Sequence, residues 1–215
     1  MHEDSILLVD KPANMTSFGV VARIRRRLSQ QLGKKAKVGH TGTLDPFATG
    51  LMIIVTGKEC RNAMQYSKLD KEYEATIRLG QTSTTGDPEG EVTDVSEVRP
   101  TRDEAEAALV AFRGEISQTP PIYSAIKVNG QRAYKLARKG EKVEIPIRQV
   151  TVFELEVIDY SYPELRVRAH VSSGTYIRTL AQDIGAALGT GAYCIALRRT
   201  RVAEYSVEGA LQLQD

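Results

Sequence analysis

Apolar positions along the chain change period several times, and each change predicts an element. Ile6-Leu7-Leu8-Val9 is a short apolar run that stops at Asp10-Lys11-Pro12 and reads as a buried strand. Ser17 reads as a helix N-cap. After it Val20, Val21, Ile24, Leu28 and Leu32 recur at helical spacing, with Arg23, Arg25, Arg26 and Arg27 on the other face and Gly33 as the stop. Residues 38–50 form a loop rich in Gly and Thr, followed by a buried strand over 51–56. Tyr73, Ala75, Ile77 and Leu79 alternate with Glu74, Thr76 and Arg78, the pattern of a half-buried strand. Residues 82–90 are turn-rich. Thr101 and Glu104 form a capping box for a helix whose apolar face is Ala105, Ala108, Leu109 and Phe112.

Thr119-Pro120-Pro121 interrupts the pattern. The basic stretch beyond it, with Tyr123 and Tyr134, reads as an excursion from the core that holds one short helix over 132–139. Strands are predicted at 150–160 and 165–171, with Tyr162-Pro163 in the turn between them. A helix at 174–188 ends at Gly189, and a last strand covers 201–207. The two kinds of element mix without a regular strand–helix–strand rhythm. This predicts an α+β fold with a mainly antiparallel sheet.

Length and composition narrow the class without naming a function. The 215 residues are enough for one sizeable core. There is no apolar run long enough to span a bilayer and no signal-peptide pattern at the N-terminus, so the expected location is cytoplasmic and no membrane partner is expected. The two cysteines, Cys60 and Cys194, and three scattered histidines have no metal-site spacing, so no metal is expected. Charge is more informative in its distribution than in its sum of +2. Residues 11–44 carry eight Lys or Arg and no acid, residues 114–148 carry seven basic against three acidic residues, and residues 86–106 are mostly acidic. A basic stripe of this kind is either a solvated face or a footprint for a phosphate backbone.

The candidate chemistry lies in Gly39-His40-Thr41-Gly42-Thr43-Leu44-Asp45-Pro46. Gly42 and Gly50 permit tight backbone paths, and Pro46 stiffens the step after the acid, so one carboxylate would be held at the edge of a sheet. A lone Asp before Pro is ordinarily a turn residue. The longer string, continuing x-Ala48-x-Gly50-Leu51, resembles the catalytic motif of the bacterial TruB-type pseudouridine synthases. Five further segments resemble motifs of that family, in the same order. They are Asp10-Lys11-Pro12 with Met15-Thr16-Ser17; Lys71-Glu72-Tyr73-Glu74-Ala75; Gln118 with Pro120-Pro121, Tyr123-Ser124-Ala125 and Ala137-Arg138-x-Gly140; Ser172 to Leu180; and Leu197-Arg198-Arg199-Thr200-Arg201.

The resemblance implies a pseudouridine synthase fold: a single catalytic domain over 1–215 with a central mixed, mostly antiparallel sheet flanked by helices and loops. It also implies an RNA-gripping insertion at about 114–147. Most family members continue into a C-terminal RNA-binding domain of the PUA type, which these 215 residues do not include. The implied activity is isomerisation of uridine to pseudouridine at position 55 in the T arm of tRNA. The implied partner is tRNA, with no cofactor, no required protein partner and a monomeric state. A related guide-RNA-dependent class works inside a multiprotein particle; the 114–147 stretch favours the stand-alone type.

Roles follow the matched positions. The resemblance makes Asp45 the expected catalytic carboxylate, adding to C1′ or to the base, or removing the C2′ proton. To stay ionised away from water it needs a cation, and Arg178 matches the family's arginine for that place. Tyr73 matches the active-site tyrosine, able to stack on uracil and to serve in proton removal from C5. Tyr176 and Leu197 match the uracil pocket, and His40 the space left by flipped nucleotides. Lys11 either supports the site or touches phosphate. Lys127, Arg132, Lys135, Arg138 and Lys139 are expected to grip RNA backbone.

Overall fold

The computed structural model describes residues 3–124, 126–128, 130–133 and 144–213. By its internal contacts the chain divides into two compact units, one of residues 1–74 and 197–215, the other of residues 75–196.

The first unit is built on strands β1 (Ile6–Lys11), β2 (Val38–His40), β3 (Thr49–Thr56), β13 (Tyr205–Ser206) and β14 (Leu211–Gln212). Strand β12 (Ala192–Val202) ends in it and β4 (Lys71–Leu79) begins in it. Strand order is β14-β1-β3-β12, with β2 on β3 and β13 on β12. The β1–β3, β2–β3 and β12–β13 pairs are antiparallel, whereas β1–β14 and β3–β12 are parallel. All of β3 after Thr49 is buried, which is why its sequence is continuously apolar rather than alternating. On one face Leu51 and Ile53 pack with Val202, Ala210, Ile6, Leu8, Tyr66 and Leu69.

Helix α1 (Ser17–Leu32) buries Val20, Val21, Ile24 and Leu28, the stripe its sequence predicts, and ends at Gly33 with φ +67°. Its cap differs from expectation. Thr16 is the N-cap and accepts from the Gly19 N–H, while Ser17 is the first helical residue, its hydroxyl drawn instead to Leu44. Helix α2 (Ala63–Ser67) leads into β4, where Lys71, Tyr73, Ala75, Ile77 and Leu79 are buried and the residues between them half-buried. That is the predicted alternation.

The second unit has the strand order β4-β11-β10-β7, with β7 (Gly114–Gln118), β10 (Arg148–Ser161) and β11 (Glu164–Val171) antiparallel. Two small hairpins accompany it, β5 (Gln81–Ser83) with β6 (Val92–Asp94), and β8 (Lys127–Val128) with β9 (Gln131–Arg132). Helix α3 (Arg102–Val110) carries the predicted capping box and packs on β10 and on the helix over Ile177–Ala187. Helix α4 (Ile177–Ala187) begins later than its sequence suggests: Tyr176 is its N-cap in an extended conformation, φ −102° and ψ 110°, and its N–H bonds the Gln118 side chain. The last strand also differs. β12 starts at Ala192 and turns at Ala203, whose φ is +46°; Ala192, Tyr193 and Cys194 are all buried, so no alternation marks its start. The helix expected over 132–139 lies mostly outside the described residues. The fold is the expected mixed, mostly antiparallel α+β architecture. Among the described residues no helix is long and apolar enough to cross a membrane.

Candidate active site

The loop that carries Asp45 is tied down from both of its ends. Ser17 Oγ accepts from the Leu44 N–H and donates to the Leu44 carbonyl, each at 2.8 Å, so one hydroxyl closes both backbone groups of the residue before the aspartate. Residue 46 is gripped next. Its carbonyl accepts from the Asn14 N–H at 2.8 Å and from the Lys11 ammonium at 3.1 Å. Within the turn, Ala48 N–H donates to the Asp45 carbonyl at 3.1 Å. Asp45 itself is half-buried, directly ahead of β3.

Lys11 is fully buried. Its ammonium donates to the carbonyls of Pro12 (2.9 Å), Met15 (2.7 Å) and Pro46 (3.1 Å), which uses all three N–H groups. A buried cation with its donors so directed joins the end of β1 to the loop beside Asp45.

Arg199 performs the matching task from the other side, and sequence reasoning assigned it no role. It is 2% exposed; Nε donates to the Leu51 carbonyl at 2.7 Å and Nη2 to the Gly42 carbonyl at 3.2 Å. Its backbone pairs with Gly50, where φ is +102° and an added Cβ would stand 2.3 Å from the Arg199 carbonyl oxygen. Only glycine fits there. The signal available for Arg199 was its place in the Leu197-Arg198-Arg199-Thr200-Arg201 motif. Its neighbour Arg198 points the other way and forms a two-toothed ion pair with Asp10, Nη1 to Oδ1 at 3.1 Å and Nη2 to Oδ2 at 2.8 Å. Burial alone would raise the Asp10 carboxyl; the Arg198 and Gln212 hydrogen bonds outweigh it and leave the group below its ordinary value.

Lys71, two residues before Tyr73, is also buried and donates to the Ser67 and Leu69 carbonyls. Burial, and then the nearby Arg199 charge, push it down to about 8. Tyr73 lies on the buried face of β4 and is 8% exposed. His40 is half-buried at the end of β2, in register with Ile54. Leu197 is buried in β12.

In the second unit, Arg178 is held from within. Its Nη1 donates to Asp87 Oδ2 and to the Thr85 carbonyl, and its Nη2 to the Tyr123 carbonyl, all at 2.9 Å. The Arg178 and Asp87 side chains are 3% and 5% exposed. Asp87 Oδ1 accepts in turn from the Thr85 hydroxyl at 2.5 Å and the Glu89 N–H at 3.0 Å. Asp87 sits in the turn-rich stretch that carried no functional expectation. Half-buried Tyr176 precedes α4, and the Gln118 side-chain amide brackets its backbone, accepting from its N–H at 2.8 Å and donating to its carbonyl at 3.1 Å. Of the expected RNA-gripping residues, Lys135, Arg138 and Lys139 lie outside the described residues. Lys127 and Arg132 pair through their backbones in the β8–β9 hairpin.

A chain with this sheet, and with a carboxylate-bearing loop whose backbone is tied down by two buried cations, has counterparts among known proteins. In three dimensions it is similar to a chain in the crystal structure of a Cbf5-Nop10-Gar1 complex, with a TM-score of 0.73 and 31% identity over 98% of this chain and 53% of that one. It thus spans about half the length of that chain. A crystal structure of a pseudouridylate synthase, 15% identical with a TM-score of 0.51 over 99% of this chain and 69% of that one, shares the fold. The fold class is therefore that of the pseudouridine synthases. In sequence, residues 26–177 match the model of the TruB family pseudouridylate synthase N-terminal domain, and residues 178–215 that of the tRNA pseudouridylate synthase B C-terminal domain. The chain is 46% identical over 214 residues to tRNA pseudouridine synthase B of Phocaeicola vulgatus, covering 99% of this chain and 91% of that protein. It is 48% identical over 224 residues to that of Thermobifida fusca, covering 99% and 74%. The chain belongs to the TruB family.

Proposed function

We propose that this protein isomerises uridine to pseudouridine in tRNA, at position 55 of the T arm, with Asp45 as the catalytic carboxylate. The observation that carries the reading is the 41–50 loop, in which Ser17, Lys11 and Arg199 fix the backbone on both sides of Asp45, in a chain 46% identical to a tRNA pseudouridine synthase B over nearly its whole length. Fixing a reacting group before substrate arrives is how positioning lowers a barrier.

In the reaction the N1–C1′ bond breaks, the uracil turns, C5 bonds to C1′, and the proton lost from C5 is balanced by one gained at N1. Atoms and electrons are conserved. The Asp45 carboxylate adds to C1′, adds to the base, or takes the C2′ proton; each route needs it ionised beside the sugar. Arg178 serves as the cation that keeps it so, and Asp87 holds Arg178 through an ion pair at 2.9 Å. Tyr73 stacks on the uracil and takes part in removing the C5 proton. Tyr176 and Leu197 line the base pocket, and His40 occupies space left by flipped nucleotides. Extruding the base costs roughly a few kcal/mol, which contacts from the 114–147 insertion offset through Lys127, Arg132, Lys135, Arg138 and Lys139. The protein acts alone, as a monomer, on tRNA in the cytoplasm.

The test is incubation of a T-arm stem-loop with the protein and with Asp45→Ala, scoring pseudouridine by carbodiimide-dependent primer extension. Modification by the parent alone is expected. Equal modification by Asp45→Ala would remove Asp45 from the mechanism, and none by the parent would remove the function.

A further inference from the structure

Helix α1 has a second face that the Asp45 loop does not use. Its apolar stripe, Val20, Val21, Ile24 and Leu28, is buried, so that stripe is not open to a membrane, and Phe18 is the exposed apolar ring at its start. The opposite side exposes Arg26, Arg27 and Gln30. Arg25 is different. It is half-buried, donates to the Val38 carbonyl at 3.1 Å and covers the Phe18 ring, so it serves the fold. Past Gly33, Lys34 is engaged with Glu3 at 2.7 Å, but Lys35 and Lys37 are exposed. No acid lies anywhere in residues 11–44.

Two further observations give this face a direction and a shape. The N-terminus of α1 is bonded to the Asp45 loop through Ser17 and Leu44. At a rise of about 1.5 Å per residue, Arg26 and Arg27 therefore stand roughly 14–15 Å along the axis from the loop's anchor. At that end Arg27, Gln30 and Gln31 join Leu211 of β14 around a cavity of about 440 Å³. One arginine beside two glutamine amides around an open depression suits a sugar–phosphate strand: guanidinium groups take the phosphate oxygens and glutamine amides the sugar hydroxyls.

We propose that Arg26, Arg27 and Gln30, with Lys35 and Lys37, form a second contact for the phosphate backbone of the RNA substrate, in the helical stem flanking the modified loop and additional to the contacts proposed for the 114–147 insertion. This inference rests on the proposed function, since only an RNA substrate brings such a backbone to the Asp45 loop.

The test uses the full chain and full-length tRNA. Arg26→Gln with Arg27→Gln keeps side chains suited to a helix and removes two charges. Binding measured across a potassium chloride series should lose about 1.4–1.8 from the slope of log affinity against log salt, and the loss in pseudouridine formation should fall on KM, which rises several-fold. Lys35→Gln with Lys37→Gln, off the helix, should lower the slope by a similar amount and guards against a defect in helix stability. An unchanged slope and KM in both variants, with pseudouridine still formed, would overturn the inference and leave the proposed function standing. A parent that binds tRNA yet forms no pseudouridine defeats the function instead. Loss of polyglutamate binding with no change in the tRNA slope would assign the face to an acidic protein and also overturn the proposal.

Discussion

The two units hold their buried cations by different means. In the first, Lys11, Arg199 and Lys71 direct their donors to backbone carbonyls, three, two and two of them respectively. In the second, Arg178 meets a carboxylate, Asp87, at 2.9 Å with both side chains out of solvent. A carbonyl is a dipole: it fixes where a cation sits without cancelling its charge. A carboxylate adds an opposite charge, and each buried charge then depends on the other. The first arrangement suits a loop that must be held still. Its electrostatic cost is visible at Lys71, where burial and Arg199 together bring the amine down to about 8. The second makes Arg178 and Asp87 one structural element, although they are 91 residues apart.

Removing Asp87 should give the largest effect. Asp87→Ala leaves the Arg178 charge buried without its carboxylate and should cost about 3–5 kcal/mol in urea unfolding. A loss under about 1 kcal/mol would break the contrast between the units. Lys11→Met comes next, since the methionine stem retains the packing while three carbonyls lose their donor. Stability should fall by about 1–3 kcal/mol, and turnover on a T-arm stem-loop by on the order of 10- to 100-fold as the Asp45 loop loosens. Full turnover in Lys11→Met would mean that Ser17 and Arg199 suffice.

Lys71→Met should have the smallest effect at neutral pH, because relief of a desolvated charge offsets two carbonyls left without a donor. Its signature is pH dependence. Lys71 titrates near 8 when folded, against an ordinary value of 10.5. Below about pH 8 both states hold the proton and the penalty is fully present. Between about 8 and 10.5 the unfolded chain holds more protons, so this group makes the parent more stable as pH rises. The parent should therefore gain on Lys71→Met over that window, by at most about 3 kcal/mol at roughly 1.4 kcal/mol per pH unit. A gap in unfolding free energy that stays flat from pH 8 to 10 would show that Lys71 is not shifted.

Much of the scaffold was legible because its signals are local. The buried stripe of α1, the alternation of β4 and the capping box of Thr101 and Glu104 each depend on residues within a few positions of one another. Where two local solutions compete, a distant partner chooses. Thr16 and Ser17 can both cap a helix; Leu44 takes the Ser17 hydroxyl and Thr16 is left to cap. The start of β12 was obscured for a related reason, since a strand buried on both faces has no alternation to reveal it.

Motifs and periodicities survive in one dimension, so residue order alone carries the family, the order of most elements, the basic and acidic stretches, and the loop in which Asp45 stands. Tertiary structure alone decided that Lys11 turns inward onto three carbonyls, that Arg199 rather than its equally basic neighbour Arg198 is buried under the loop, and that Asp87 meets Arg178. Those outcomes depend on which donors and acceptors come within about 3 Å once the strands pair. Neither residue type nor spacing encodes that distance: Asp10 and Arg198 form their ion pair across 188 positions of sequence.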